Sequence, residues 1–181
     1  MRRLRHAGLC AALLSLAGIW QASDPARTRQ PASSVFSDVT RSAWYDVNSL
    51  LMAAAKKMPD EHYAFRPVKQ ARSFGEIIGH VADEHYVVCG AVTGRGGPAT
   101  QFEKQPFKAA LVPALQDSIA ICDLAYVLLT DENAAFRYVV FGTVGTRLSL
   151  LTAILAHDNE HYGNLATYMR INGVEPPGGG Q

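Results

Sequence analysis

The sequence lacks the features that mark several common classes of protein. Its 181 residues carry 17 basic and 16 acidic side chains, so the formal net charge is only +1. The sequence has no stripe of basic residues of the kind that binds nucleic acids. A phosphate-binding glycine-rich loop and the G-x-S-x-G motif of many serine hydrolases are both absent. With 48% hydrophobic residues, the chain is instead expected to form one globular domain with its own core.

Acidic residues are missing from the start of the chain, and this absence indicates a secretory signal peptide. Three arginines among the first five residues precede the apolar run AGLCAALLSLAGIW, and the first acid is Asp24. A membrane span needs about 20 apolar residues, so this shorter run fits a cleaved leader better. We therefore expect a signal peptide over residues 1–23, a periplasmic or secreted protein, and no stable membrane span in the mature chain. A buried helix and an organelle transit peptide are the alternatives.

Cysteine is scarce, and its three positions leave the redox state open. Cys10 falls in the predicted leader, so the mature chain keeps Cys89 and Cys122. An exported protein matures in an oxidising compartment, where two cysteines can form a disulfide. The sequence does not show whether their Cα atoms lie within bonding distance, so a disulfide and two buried thiols both stay open.

Strand patterns are also few, and the rest of the chain has helical periodicity. Residues 24–35 are polar and contain two prolines, which predicts a linker, and the folded domain is expected over 36–177. Apolar residues at steps of three and four predict an all-α four-helix bundle. The predicted helices span roughly 36–57, 73–93, 106–130 and 146–171.

Two local signals refine these helices. Ser73 followed by Glu76 is a capping box that begins the second helix. Pro113 lies near the start of the third helix and predicts either a later start or a kink. Residues 131–146 have no helical period and predict a loop with a short extended piece.

The last predicted helix carries the most informative pattern, AHDNEHYGNLATYMRINGVEPP at residues 156–177. His157 and His161 are four residues apart, about 40° around the helix axis, and both fall within the apolar stripe. Two imidazoles that enter a bundle core on one face can bind the same metal ion. They can also be ordinary core residues that donate hydrogen bonds to backbone or tyrosine oxygens.

A third histidine ligand is available from the second helix, in the stretch GHVADEHY. His80 and His85 flank the apolar face of that helix on opposite sides, and helical angles alone barely separate them. Three neutral imidazoles would hold a divalent ion with open coordination positions, which is the catalytic pattern. Imidazole ligands suit zinc, nickel, copper or iron, and we favour zinc or nickel.

Carboxylate and amide groups near the histidines could orient the imidazole rings through hydrogen bonds. Four residues lie near enough in sequence, although each can equally belong to a solvated helix face. They are Glu84, Asp158, Glu160 and Asn164. Glu84 is also a weak candidate for moving a proton during catalysis.

One competing motif overlaps the histidine pair. Residues 157–161, HDNEH, match the H-x-x-E-H pattern of a zinc-protease class, with Glu160 as the general base. Such proteases take a further carboxylate ligand from well downstream. Here Glu175 is the only acid after the motif, and it lies beyond the predicted end of the helix. A protease is therefore a weaker hypothesis than a metal site formed by three histidines.

The stretches SFGEIIGHVADEHYVVCGA and LAHDNEHYGNLATYMRINGVEPP together resemble the DinB-like superfamily of four-helix-bundle metalloproteins. The resemblance covers residues 36–177, and EHYGNLATYMRINGVEPP is its most specific part. It implies an up-down-down-up bundle, a dimer in many members, and one metal-binding histidine on the second helix with two on the last. Transferred to this chain, the implied metal ligands are His80, His157 and His161.

The resemblance implies less about activity. Some relatives are thiol transferases that act on electrophiles, and another is a thiol-dependent isomerase. We therefore expect an exported, divalent-metal-dependent transferase or hydrolase whose partner is a small-molecule substrate such as a thiol or an electrophile. No nucleic-acid partner is expected. The alternative is a non-catalytic metal-binding or stress-related binding module, in which the metal only joins the helices.

Overall fold

The computed structural model describes residues 34–96 and 100–178. The predicted signal peptide and nearly all of the predicted linker lie outside the described residues. The described residues form four long helices and one hairpin. The elements are α1 (Val35–Lys57), α2 (Phe74–Thr93), α3 (Lys108–Val127), β1 (Arg137–Val140), β2 (Thr143–Thr146) and α4 (Arg147–Ile171). Each of the four predicted helices is present, with its ends within a few residues of the expected positions.

Local capping explains where two of the helices begin. At α2 the Ser73 side chain accepts a hydrogen bond from the Glu76 amide, and the Glu76 carboxylate accepts one from the Ser73 amide. The predicted capping box is therefore confirmed. Thr146 and Ser149 form the same reciprocal arrangement at the start of α4. Helix α3 begins before Pro113 and runs through it, so the alternative of a later start is wrong.

The directions of the helices follow from contacts between their ends. Gly75 lies against Leu111 at the beginnings of α2 and α3, and Cys89 is bonded to Cys122 near their ends. These two helices are therefore parallel. In the same bundle, α1 and α2 each pack against both α3 and α4. Helices α1 and α2 thus lie diagonally opposite each other.

The remaining two directions complete the predicted topology. Trp44 in the first half of α1 donates a hydrogen bond to Asp123 in the second half of α3, so α1 runs opposite to α3. The Tyr126 hydroxyl near the end of α3 donates to the carbonyl oxygen of Leu151 near the start of α4. Helix α4 therefore also runs opposite to α3. The bundle is up-down-down-up, as expected.

The core consists of two apolar clusters with buried polar residues between them. His85, Ser118 and Asp158 lie between the two clusters on α2, α3 and α4 respectively, and all three are fully buried. The first cluster is formed by the late part of α1, the early parts of α2 and α3, and the end of α4. The second contains Trp44, the disulfide, Tyr126 and the start of α4. Any polar group in the middle layer needs a partner, because water does not reach it.

The two cysteines of the domain form a disulfide between α2 and α3, with 5.0 Å between the Cα atoms of Cys89 and Cys122. Of the two alternatives that the sequence leaves open, the structure has the disulfide. It joins the two parallel helices at the end nearer the hairpin.

By length and composition alone, helix α3 could also cross a membrane. The core helices of many proteins have the same length and composition.

The predicted loop with a short extended piece is an antiparallel hairpin. Strands β1 and β2 pair from Arg137 opposite Thr146 to Val140 opposite Thr143. Strand β1 lies against α2, and strand β2 leads directly into α4. The hairpin therefore covers one side of the pair of helices that carries the histidines.

Candidate metal centre

Helices α2 and α4 bring three imidazoles together. Nε2 of His157 lies 3.1 Å from Nε2 of His80 and 3.1 Å from Nε2 of His161. One nitrogen from each ring lies within 4.8 Å of one from each of the others, an arrangement that could hold a metal ion. His161 is buried, whereas His80 and His157 are partly exposed. The structure thus brings together the three residues that the resemblance implies.

Hydrogen bonding alone explains this arrangement poorly. A neutral imidazole nitrogen has either one proton or one in-plane lone pair, so Nε2 of His157 cannot make two good hydrogen bonds to two other ring nitrogens. Two nitrogens bound to one tetrahedral zinc ion at about 2.0–2.1 Å would lie about 3.3 Å apart. The observed separations of 3.1 Å are close to that value. The residues present therefore fit a divalent ion.

Carboxylates face the opposite edges of two of the rings. Nδ1 of His157 lies 3.4 Å from Oδ1 of Asp158, and Nδ1 of His80 lies 3.3 Å from Oε2 of Glu103. A proton on Nδ1 that is donated to a carboxylate leaves the lone pair of Nε2 free for a metal. Nδ1 of His161, by contrast, has no hydrogen-bond partner among the described residues. The three rings are therefore held unequally.

The short 3-10 helix Phe102–Lys104 places Glu103 beside His80, and two residues of α2 explain how. A Cβ atom on Gly79 would lie only 2.4 Å from the carbonyl carbon of Phe102, so this position requires glycine. The Asp83 carboxylate accepts hydrogen bonds of 3.0 Å from the backbone amides of Phe102 and Glu103. Thus the glycine before His80 and the acid three residues after it both fix the segment that carries Glu103.

His85 lies behind the cluster and is fully buried. Its Nε2 atom lies 3.0 and 3.1 Å from the two carboxylate oxygens of Asp158, and its Nδ1 atom lies 3.1 Å from the hydroxyl oxygen of Ser118. The Asn48 amide donates to the same carboxylate at 3.3 Å. Asp158 therefore connects His85 to His157. Helical angles left His80 and His85 hard to separate, and in the structure His80 lies in the cluster whereas His85 pairs with Asp158.

Burial and neighbouring charges shift the proton affinities of the site. Burial, followed by the nearby imidazoles of His157 and His80, lowers the pKa of His161 to about 4. Burial also lowers the pKa of His80, and the charge of Arg72 adds to the effect. For Asp158, burial by itself raises the pKa, but its interactions with His85 and His157 outweigh burial and leave the pKa below its usual range. Neutral imidazoles are the form that binds metals.

Two pockets reach the cluster, one at His157 and the other at His161. An apolar pocket of about 460 Å³ reaches His157 and includes Glu84 in its wall. A more polar pocket of about 510 Å³ reaches His161 and includes Glu160 and Asn164. Of the four residues expected to orient the rings, only Asp158 contacts one of the three imidazoles, at Nδ1 of His157. The other three, Glu84 among them, line these pockets.

Tyr86 on α2 and Tyr168 on α4 have contacts away from the three histidines. Tyr86 packs against the ring of Phe102, and the Tyr168 hydroxyl donates to the carbonyl oxygen of Arg72. Neither seals the cluster, since both pockets remain beside it.

Glu103 was not among the residues that the sequence predicted to orient the rings, because its distance along the chain gives no sign that it meets His80. The aspartate and glycine around His80 are the only local traces of that contact.

Comparison with known proteins agrees with this geometry. A family model of the DinB superfamily matches residues 43–165, which include the three histidines of the cluster. The chain belongs to the DinB superfamily. No curated protein matches it.

Solved structures of DinB-like proteins have the same fold. A DinB-like protein from Bacillus cereus aligns with a TM-score of 0.66 and 15% identity, covering 78% of this chain and 95% of that one. The DinB-like protein YjoA from Bacillus subtilis aligns with a TM-score of 0.61 and 20% identity, covering 79% and 99%. The predicted DinB-like, all-α fold is thus confirmed. The roles of His80, His157 and His161 as metal ligands stay a prediction, because these comparisons concern the fold.

Proposed function

We propose that this DinB superfamily protein binds one divalent metal ion through Nε2 of His80, His157 and His161. The observation that supports the proposal is the convergence of three ring nitrogens on one point, with separations that two hydrogen bonds from a single nitrogen cannot explain. Imidazole ligands suit zinc, nickel, copper and iron, and among these we propose zinc or nickel.

We further propose that the protein is a metal-dependent enzyme acting on a small molecule, as a hydrolase or a transferase. When bound, a divalent ion of this kind acidifies a water molecule or ligates a substrate oxygen or sulfur. The chain itself supplies two approaches to the site, the pockets beside His157 and His161. A binding module in which the metal only joins the helices would have no use for such open space.

Glu84 is the residue that we propose to move a proton. It lines the same pocket as His157 and is partly buried, and its carboxylate has no hydrogen bond or salt bridge within the described parts of the chain. An unpaired carboxylate beside a metal ligand can accept a proton from a substrate or a water molecule. Asp158 is unsuitable for this role because it is fully buried and already paired with His85.

Export of the protein is part of the proposal, and the disulfide supports it. Disulfides persist in oxidising compartments and are rare in the cytosol. The Cys89–Cys122 bond is buried and joins two core helices, as a structural disulfide does. Since low-molecular-weight thiols are cytosolic, this location favours a hydrolase over a thiol transferase. The homodimer implied by the resemblance stays a prediction, to be checked by analytical ultracentrifugation of the mature chain.

The metal site is tested by elemental analysis of the purified mature chain. We expect about one equivalent of metal in the wild type and less than one tenth of that in His80→Ala and His157→Ala. His62→Ala is the matched control, because His62 lies in the short 3-10 helix Asp60–His62 outside the cluster. Circular dichroism shows whether each variant is folded. Unchanged metal content in both folded site variants would remove the proposed site.

Catalysis needs a separate measurement. The metal-loaded protein is assayed with a panel of ester and amide substrates and with thiol-conjugation substrates. We expect Glu84→Gln to keep the metal and to lower the rate on any accepted substrate by about 100-fold, as is typical for the loss of a general acid–base group. A Glu84→Gln variant with full activity would leave the metal site in place and exclude Glu84 from catalysis.

A further inference from the structure

The apolar pocket beside His157 has a composition that the metal site alone does not require. Its wall is formed by the hairpin, the first turns of α4 and the middle of α2. The lining includes Val88, Val140, Phe141, Val144, Leu150 and Ile154. Its volume of about 460 Å³ falls in the range of small-molecule sites, which are mostly apolar with a few polar groups. In this pocket Glu84 and His157 are the ionisable groups, and both belong to the proposed centre.

We propose that this pocket binds the apolar part of the substrate, an alkyl or small aromatic group, and that the reacting end of the substrate lies between His157 and Glu84. The inference rests on the proposed function and adds the class of substrate. A small polar molecule would gain little from a wall of valine, leucine and isoleucine side chains. An apolar group of several carbons would be removed from water there, which is the main source of affinity in such sites.

The turn of the hairpin supports the proposal through an unusual residue. Phe141 and Gly142 join the two strands, and both have positive φ, 50° and 73°. Two-residue hairpin turns of this kind favour Asn-Gly, and positive φ is unfavourable for a bulky aromatic residue. Phe141 is nevertheless 68% exposed, so packing in the core does not explain its presence. It lines the pocket, and contact with an apolar ligand would explain an aromatic residue there.

Alkyl hydroxamates test the proposal, because the hydroxamate group ligates metals while the chain length varies. Binding of acetohydroxamate and hexanohydroxamate to the zinc-loaded protein is measured by titration calorimetry. A fully buried methylene contributes about fourfold to affinity, so four additional methylenes in a partly open pocket should give at least tenfold tighter binding. Equal affinities of the two compounds would overturn the proposal.

Two variants locate the effect. Ala153→Phe places a large side chain in the pocket from an exposed position on α4, and it should reduce the chain-length preference to less than twofold. Thr152→Phe is the matched control, since Thr152 is exposed on the same helix but does not line the pocket. It should keep the tenfold preference. A preference that survives Ala153→Phe places the alkyl chain elsewhere and contradicts the proposal.

Phe141→Asn separates ligand binding from stability. Asparagine suits the turn better than phenylalanine, so the melting temperature should stay the same or rise. Affinity for hexanohydroxamate should nevertheless fall severalfold, whereas affinity for acetohydroxamate should not change. An unchanged hexanohydroxamate affinity would exclude Phe141 from the ligand contact.

The metal-free protein distinguishes failure of this inference from failure of the metal site. Amide chemical shifts are recorded by NMR while 1-hexanol, which needs no metal, is added. We expect shifts at residues 140–145 and at Ala153, and their loss in Ala153→Phe. Shifts at these positions without any metal binding would overturn the proposed function and retain the apolar pocket. Metal binding without these shifts would retain the function and overturn the pocket.

Discussion

Helices α2 and α4 build two histidine environments side by side, and the two differ in what they contain. In the cluster of His80, His157 and His161, three like groups converge, and one ring nitrogen of each lies within 4.8 Å of one from each of the others. In the layer behind it, His85 is fully buried and lies 3.0 Å from a carboxylate oxygen of Asp158. The buried pair contains a carboxylate and an imidazole, whereas the cluster has three imidazoles whose nitrogens could hold a metal ion.

The comparison teaches that a histidine in a helix core has no fixed role. His80 and His85 belong to the same helix and flank the same apolar face. Their contacts differ because of what α3, α4 and the short 3-10 helix place opposite them. Asp158 touches both environments, since one of its oxygens lies near His157 and both lie near His85. Substitutions at these shared and unshared partners can separate the two environments.

The largest effect is expected from Asp158→Ala. It leaves His85 buried without its carboxylate, and removal of one partner of a buried pair typically costs about 3–5 kcal/mol of stability. The same variant removes the partner of His157, so metal affinity should also fall by about 10- to 100-fold. Urea unfolding and a competitive metal titration measure the two effects. Asp158→Asn, which keeps the size of the side chain, is the control and should lose less stability. Wild-type stability in Asp158→Ala would show that the pair contributes nothing to the fold.

The disulfide should separate stability from metal binding. Cys89 lies one turn after His85 on α2, and its bond to Cys122 closes a chain segment with a sequence separation of 33. Replacing both cysteines by alanine should lower the free energy of unfolding by about 3 kcal/mol, mainly through a less constrained unfolded chain. Metal content should stay near one equivalent. Loss of metal from a folded double variant would contradict independence of the two features.

The histidine cluster should make the metal-free protein sensitive to acid. The pKa of His161 is about 4 in the folded protein and near the ordinary histidine pKa of 6.5 in the unfolded chain, so the unfolded state binds more protons between these values. Stability should therefore be fully present above pH 6.5 and should fall by about 2 kcal/mol between pH 7 and pH 5. Urea unfolding at several pH values measures this slope. His161→Asn should show a shallower slope, and an equal slope in that variant would assign the sensitivity to other groups.

The smallest effect, and the most selective one, is expected from Glu103→Ala. Glu103 is partly exposed and faces Nδ1 of His80, so its loss should weaken metal binding by about tenfold. Stability should change by less than about 1 kcal/mol, because its salt bridge with Arg72 is at the surface. Metal titration and urea unfolding together compare this variant with Asp158→Ala. A large loss of stability in Glu103→Ala would remove the contrast between the two ring partners.

Much of the bundle was predictable because its signals are local. Apolar periodicity placed all four helices, and the capping box at Ser73 and Glu76 is formed by neighbours along the chain. The spacing of four between His157 and His161 puts both rings on one face of a helix whatever surrounds it. These features depend on helix geometry, which repeats from one protein to another, and on side chains within one or two turns.

Other features depended on partners far along the chain. Glu103 meets His80 only because Gly79 and Asp83 hold the short 3-10 helix against α2. The wall of the apolar pocket depends on the hairpin. The residues of the hairpin have no helical period, so the sequence predicted only a loop with a short extended piece. The bond between Cys89 and Cys122 required the parallel packing of α2 and α3.

The sequence by itself determined the four helices, their capping and the presence of a histidine pair on one face, because each of these depends on residues a few positions apart. Only the tertiary structure decided that His85 pairs with Asp158, that Glu103 meets His80 and that the cysteines are bonded. The reason is that hydrogen bonds, ion pairs and disulfides act over a few ångströms in space. Which distant residues come that close is determined by the packing of whole helices, not by any short stretch of the chain.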